Sequence, residues 1–149
     1  MVEWQLKGVF YMPTIFEKII AREIPAHIVF EDEQTIAFLD ITQATKGHTL
    51  IVPKAPYPNL YEMPSALAGH VMEVAVKIAN AIKEAFEPEG LNLLNNNGTI
   101  AGQTVFHFHI HLIPRYEKKD IAMSFTNHMN ELNEDDFIER ADRIKAALS

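Results

Sequence analysis

His107-Phe108-His109-Ile110-His111-Leu112-Ile113 is the stretch on which the reading of this chain turns. Imidazole and apolar side chains alternate across its first six positions. A period of two marks a β-strand, whose successive side chains point to opposite faces. A strand over Val105–Ile113 would set His107, His109 and His111 on one face and pack Phe106, Phe108, Ile110 and Leu112 behind them. With seven histidines in 149 residues, this spacing arises by chance in only about one or two chains in a hundred. Three uses of such a row stay open on the residues alone. Side chains two apart on a strand lie about 6.7 Å from each other, so two of the three can converge on a metal ion but the third needs help. Stacked core histidines would each require a hydrogen-bond partner. Nucleophilic catalysis gives all three work: one attacks, one orients, and one donates to developing charge.

Working outward, the punctuation is clear. Gly47 introduces an apolar run, His48–Val52, that Pro53 ends, and shorter strands are expected at Ile28–Phe30 and Thr35–Leu39 around the acidic turn Glu31-Asp32-Glu33. A fifth is expected near Leu91–Asn95. Leu67, Val71, Val74, Ile78, Ile82 and Phe86 step by three or four and predict a long helix from about Ser65 to Phe86, stopped by Pro88 and Gly90. Ile15, Phe16, Ile19 and Ile20 predict a short helix over Thr14–Arg22 behind Pro13. Phe137, Ile138, Ala141, Ile144 and Leu148 predict a last helix from about Glu134. The fold class is therefore α+β: about five strands in a mostly antiparallel sheet, with a short N-terminal helix, one long central helix and a C-terminal helix. Residues 1–12 match no period and read as an extension, either a leader, an expression scar or a start site placed too early. Residues 13–149 form one domain.

Composition narrows the function. The chain has 48% hydrophobic and 22% charged residues and no cysteine, so disulfides and a cysteine nucleophile are excluded. A net charge of −7, from 13 Lys+Arg against 20 Asp+Glu, disfavours extended nucleic acid while leaving a single nucleotide open. No apolar run reaches the roughly 20 residues of a membrane span. No secretory signal is legible, and the expected compartment is the cytoplasm.

The heptapeptide resembles the His-φ-His-φ-His-φ-φ signature of the histidine triad superfamily, φ being apolar. Ile15-Phe16-Glu17-Lys18-Ile19-Ile20, Ile24-Pro25-Ala26, Ala37-Phe38-Leu39-Asp40-Ile41, Lys46-Gly47-His48-Thr49-Leu50-Ile51-Val52-Pro53-Lys54 and Gly102-Gln103-Thr104-Val105-Phe106 follow in family order. The likeness runs from about Thr14 to Tyr116. It is nearest the Hint-like nucleotide-binding branch and weaker toward the dinucleoside polyphosphate hydrolases.

The resemblance implies the histidine triad fold and a purine-preferring nucleoside phosphoramidate or nucleotidyl hydrolase. Such an enzyme attacks the α-phosphorus through a nucleotidyl-histidine intermediate and releases a nucleoside monophosphate. It makes His109 the nucleophile, His107 the organiser of its hydrogen bonding, and His111 the donor to a phosphate oxygen. Neutral imidazole, with a reference pKa near 6.5, suits the first role at neutral pH. Thr104, where the family usually has Ser, would donate to the leaving group, and Gln103 would bind phosphate. Asn96 and the Gly102 backbone would line the phosphate side of the pocket, and Val105 would be a further nucleotide-binding residue. Asp40 would accept the ribose hydroxyls. Ile15, Phe16, Ile19, Phe38, Leu39 and Ile41 would form the slot for the base, Phe16 and Phe38 foremost.

In some relatives a Cys-x-x-Cys pair joins the His of the Gly-His segment and the first triad His around zinc. Thr14 and Glu17 occupy those cysteine positions here, so no zinc and no cofactor are expected, and His48 is read as structural. The family joins protomers edge to edge into a homodimer, with the long helix covering part of the interface. Two other functions remain: a dinucleoside polyphosphate hydrolase, and a nucleotide-binding adaptor whose hydrolysis is vestigial.

Overall fold

The computed structural model describes residues 11–148; most of the N-terminal extension, residues 1–10, lies outside the described residues. Thr14 starts the first helix, α1 (Ile15–Ile20), with a capping box: its hydroxyl accepts from Glu17 N–H at 3.2 Å, and the Glu17 carboxylate accepts from Thr14 N–H at 2.8 Å. Two of the helix's free N-terminal donors are thereby satisfied. Tyr11, read as part of the extension, hydrogen-bonds the same carboxylate.

Five strands follow: β1 (Ile28–Glu31), β2 (Thr35–Leu39), β3 (Thr49–Pro53), β4 (Gly90–Leu94) and β5 (Ile110–Arg115). They form one antiparallel sheet in the order β1-β2-β3-β5-β4, which leaves β4 as an edge. The long helix, α2 (Ser65–Phe86), connects β3 to β4, and α3 (Glu134–Leu148) ends the chain.

Alternation along β2 and β3 divides the core between the two faces of the sheet. Ala37 and Ile51 join Phe108, Ile110 and Leu112 under the α2 residues Val71, Val74, Ala75, Ile78 and Ile82. Ile36, Phe38, Leu50 and Val52 face the other way and pack with Phe16 and Ile19 of α1. The histidines share that second face.

The strand predicted over Val105–Ile113 is corrected at both ends. The ladder between β3 and β5 begins at Ile51↔Ile110, so His107 and His109 lie before the strand, His107 at the end of a bend over residues 105–107. Pro53 has no N–H to lengthen that ladder, and its carbonyl is taken by the His107 ring. At the far end β5 runs through Pro114, which lies beyond the last β3 pair, Thr49↔Leu112, where a missing N–H breaks no bond to β3. Phe106, expected behind the imidazoles, is half exposed, because chain outside the ladder is free to turn its side chain outward.

Candidate active site

The segment that leads into β5 is held through its backbone: Phe108 N–H donates to the Tyr57 carbonyl at 2.7 Å, and the Asn95 side-chain amide donates to the His109 carbonyl at 2.9 Å. Those contacts set three ring orientations, and each ring's protons follow from its neighbours.

His109 Nδ1 lies 2.7 Å from the backbone oxygen of His107. A carbonyl can only accept, so Nδ1 carries the proton and Nε2 keeps its lone pair. The ring stands edge-on to Phe16, with centroids 5.0 Å apart, and is nearly buried. Burial pushes its pKa below the ordinary histidine value, although the His107 carbonyl opposes this.

His111 is fixed by a residue outside the triplet. Ala44 N–H donates to His48 Nδ1 at 3.3 Å, which leaves the His48 proton on Nε2, and that proton is donated to His111 Nδ1 at 2.9 Å. His111 therefore carries its own proton on Nε2. Burial, aided by the neighbouring His109 and His48 rings, pulls the His111 pKa down to about 4. The group is a neutral donor near pH 7. Reading His48 as merely structural thus missed its contact with the third imidazole. Sequence distance hid it: the two lie 63 positions apart and meet only because β3 pairs with β5 at Leu50↔His111.

His107 does not line the cavity. It is fully buried, donates from Nε2 to the Pro53 carbonyl at 2.7 Å, and lies 3.5 Å by Nδ1 from the Thr14 hydroxyl. The acceptor it offers His109 is its backbone oxygen and not its ring. His48 and His107, paired in the sequence reading as remnants of a zinc set, have separate partners. Asp40, His48 and His111 do place donor atoms within 4.8 Å of one another. A metal on His48 Nε2 would force the proton onto Nδ1, which already faces the Ala44 N–H; His48 and His111 are joined by a hydrogen bond, while the Asp40 carboxylate lies 3.7 Å from His48 Nε2.

A cavity of about 540 Å³ opens in front of His109 and His111. Of the residues predicted for the site, Ile15, Phe16, Ile19, Phe38, Leu39, Asp40, Ile41, Asn96, Gly102, Thr104 and Val105 line it. Phe16 and Phe38 meet edge to face at 5.6 Å and make its apolar floor. Ile24, Pro25, Ala26, His27 and Leu50 line it as well; Ile24-Pro25-Ala26 were visible in the sequence as a matching motif without a role.

Gln103 stands elsewhere. Its oxygen accepts from Gly98 N–H at 2.8 Å, and its amide donates to the Pro58 and Val105 carbonyls at 2.6 and 3.0 Å. With those bonds made and the residue buried, the side chain braces the loop instead of reaching the phosphate side. Asp40 keeps one oxygen on the Thr42 N–H and hydroxyl, at 2.8 and 2.7 Å, and the other 3.7 Å from His48 Nε2. Burial raises the Asp40 pKa, but the Thr42 bonds and the two imidazoles outweigh it and hold the carboxyl below its usual range. It is an anion at neutral pH.

Residues 21–118 match the model of the HIT domain family. The protein hit of Bacillus subtilis is 58% identical over 106 residues, 71% of this chain and 73% of its own length. An adenylylsulfatase of Arabidopsis thaliana is 42% identical over 104 residues, 70% of this chain and 53% of the relative. An adenosine 5'-monophosphoramidase of Saccharomyces cerevisiae is 41% identical over 105 residues, 70% of this chain and 64% of the relative. The crystal structure of a HIT family member from Bacillus subtilis superposes with a TM-score of 0.89 at 46% identity, covering 93% of this chain and 99% of that one.

Proposed function

The chain belongs to the HIT domain family, and we propose that it is a nucleotide hydrolase whose His109 attacks the α-phosphorus of a purine nucleoside phosphoramidate or related nucleotidyl compound. The observation that carries the reading is the 2.7 Å bond from His109 Nδ1–H to the His107 carbonyl. It aims an unprotonated nitrogen from a ring that burial keeps neutral. The yeast and Arabidopsis relatives, an adenosine 5'-monophosphoramidase and an adenylylsulfatase, support an adenylyl group as substrate.

In the proposed reaction His109 Nε2 forms a bond to phosphorus while the bond from phosphorus to the amine breaks. The departing nitrogen takes a proton from the Thr104 hydroxyl, and His111 Nε2–H donates to a phosphate oxygen as charge gathers there. Water then attacks phosphorus from the vacated side and returns its proton to Thr104, and the P–N bond to His109 breaks. The nucleoside monophosphate leaves. Asp40 accepts from the ribose hydroxyls with the lone pairs not used by Thr42, and the base lies against Phe16 and Phe38. The assembly is a homodimer, and no cofactor takes part.

The test is capture of the intermediate. Protein mixed with adenosine 5'-phosphoramidate, quenched in milliseconds and digested, should show adenylyl mass on the peptide carrying His109. Full turnover with no adduct at any quench time, together with inversion at a chiral phosphorus, would sink the covalent route.

A further inference from the structure

Asn95, Asn96 and Asn97 follow the end of β4, whose ladder with β5 stops at Leu94↔His111. The three side chains divide their work. Asn96 lines the cavity, while Asn97 Nδ2–H donates to Asn95 Oδ1 at 2.6 Å.

That pair is fixed at both ends. Leu60 N–H donates to Asn97 Oδ1 at 2.7 Å, and Asn95 Nδ2–H donates to the His109 carbonyl at 2.9 Å. A main-chain N–H can only donate and a carbonyl can only accept, whereas a primary amide has one accepting and one donating end. Two amides in series between such termini have a single orientation that makes all three bonds. Either side chain, turned over, would set donor against donor at one contact and acceptor against acceptor at the other.

The first donor of this relay sits on a segment that is tied down beside it. Tyr57 accepts from Phe108 N–H at 2.7 Å, and Pro58 accepts from the Gln103 amide at 2.6 Å. Phe108 N–H and the His107 carbonyl belong to one planar peptide unit, and that carbonyl accepts from His109 Nδ1. Tyr57 thus holds the peptide that orients the His109 ring, and Asn95 holds the peptide that follows His109. The ring hangs between two restrained planes.

We propose that Asn95 is a positioning residue for the His109 ring, and that Asn97 acts through it by fixing which end of the Asn95 amide faces the His109 carbonyl. Its effect on turnover rests on the reading of His109 as nucleophile. Releasing that carbonyl lets the backbone at His109 shift, and misplacing a reacting group by about 1 Å costs on the order of 10²-fold in rate. Phe16, Phe38 and Asp40 stay in the cavity, so binding of the nucleotide is spared.

The test compares Asn95→Ala and Asn95→Asp with wild type on adenosine 5'-phosphoramidate, with melting temperatures checked. Asn95→Asp keeps the shape, but its carboxylate can only accept and meets the His109 carbonyl without a proton. Both variants should lower kcat by about tenfold or more and leave KM and the AMP dissociation constant within about threefold. Asn97→Ala should lose less. The double variant Asn95→Ala/Asn97→Ala should lose no more than Asn95→Ala alone, since Asn97 reaches His109 through Asn95. NMR of isotope-labelled histidine gives a readout free of the chemistry: solvent exchange of His109 Nδ1–H should be about tenfold faster or more in Asn95→Asp. Losses confined to KM, the mark of a loop brace that only seats Asn96, overturn the proposal. So do additive losses in the double variant, or unchanged kcat and exchange in a folded Asn95→Asp. A wild type that forms no adduct on His109 refutes the nucleophile reading alone, and the exchange measurement still decides the positioning.

Discussion

The backbone oxygen of His107 sits 2.7 Å from Nδ1 of His109, so the ring proposed to attack is oriented by the main chain of the residue two positions before it. A substitution that keeps the backbone in place leaves that acceptor intact. His109 and His107 should therefore respond differently to mutation.

His109→Ala removes the proposed nucleophile but leaves Phe16, Phe38 and Asp40 in the cavity. Turnover of adenosine 5'-phosphoramidate should fall by several orders of magnitude, while the dissociation constant for AMP, measured by calorimetry, changes less than about tenfold. His107→Ala should act through the fold, because it orphans the buried Pro53 carbonyl and opens a cavity, at a cost of about 1–3 kcal/mol. A His109→Ala enzyme retaining more than a few per cent of wild-type turnover would contradict the assignment.

Asp40 is held as an anion beside the cavity by the Thr42 bonds and the neighbouring imidazoles. Hydrogen bonds to a charged acceptor contribute about 1.5–3 kcal/mol. Asp40→Ala should weaken AMP at least tenfold while hardly affecting 2',3'-dideoxy-AMP. Equal losses for the two sugars in a titration would show that the carboxylate does not read the ribose.

His48 should act on His111 without touching substrate. His48→Ala removes the donor to His111 Nδ1, frees that ring to take the other tautomer, and should lower kcat at least tenfold with little change in KM. His48→Gln offers an amide N–H in a similar place and should recover part of the loss. A rise in KM with kcat preserved would make His48 a binding residue instead.

The pH dependence has a definite sign. His48, His107, His109 and His111 all have pKa values below the ordinary 6.5, each chiefly by burial. Between 6.5 and the folded values the unfolded chain binds more protons than the folded one, so stability is complete above about 6.5 and falls as pH drops toward 4. Asp40, Asp32 and Asp120, lowered by hydrogen bonds in the fold, add to the loss only below the usual carboxylate range, near 4. The melting temperature should be flat from pH 8 to 7 and lower at pH 5. Melting temperatures equal at pH 7 and 5 would contradict this account.

Gly47 has φ +93°, and a Cβ there would lie 2.9 Å from two ring atoms of Phe86, at the end of α2. Strain and contact together predict that Gly47→Ala destabilises by about 1–3 kcal/mol. Because Gly47 leads directly into His48, the variant should also lose activity at temperatures where it remains folded. Urea unfolding and assays on the folded fraction separate the two effects.

Local pattern was enough for most of the architecture. The apolar steps from Leu67 to Ile82 identified α2, the glycine and proline punctuation bounded β3, and the alternating imidazoles identified a one-sided row, because periodicity and turn chemistry are properties of neighbouring residues. Even Asp40, Phe16 and Phe38 could be placed at the cavity through matching motifs. Tertiary structure decided what depends on which distant atoms meet. Pairing of Leu50 with His111 brought His48 against the third imidazole and fixed its tautomer. The buried Gln103 was turned onto the Gly98, Pro58 and Val105 backbone, away from the role its motif suggested. The Pro53 carbonyl accepts from His107 Nε2–H, and the ladder to β3 starts only at Ile110, just past His109. A hydrogen bond satisfies whichever buried group comes within about 3 Å, and that proximity is set by the folded sheet, not by the order of residues along the chain.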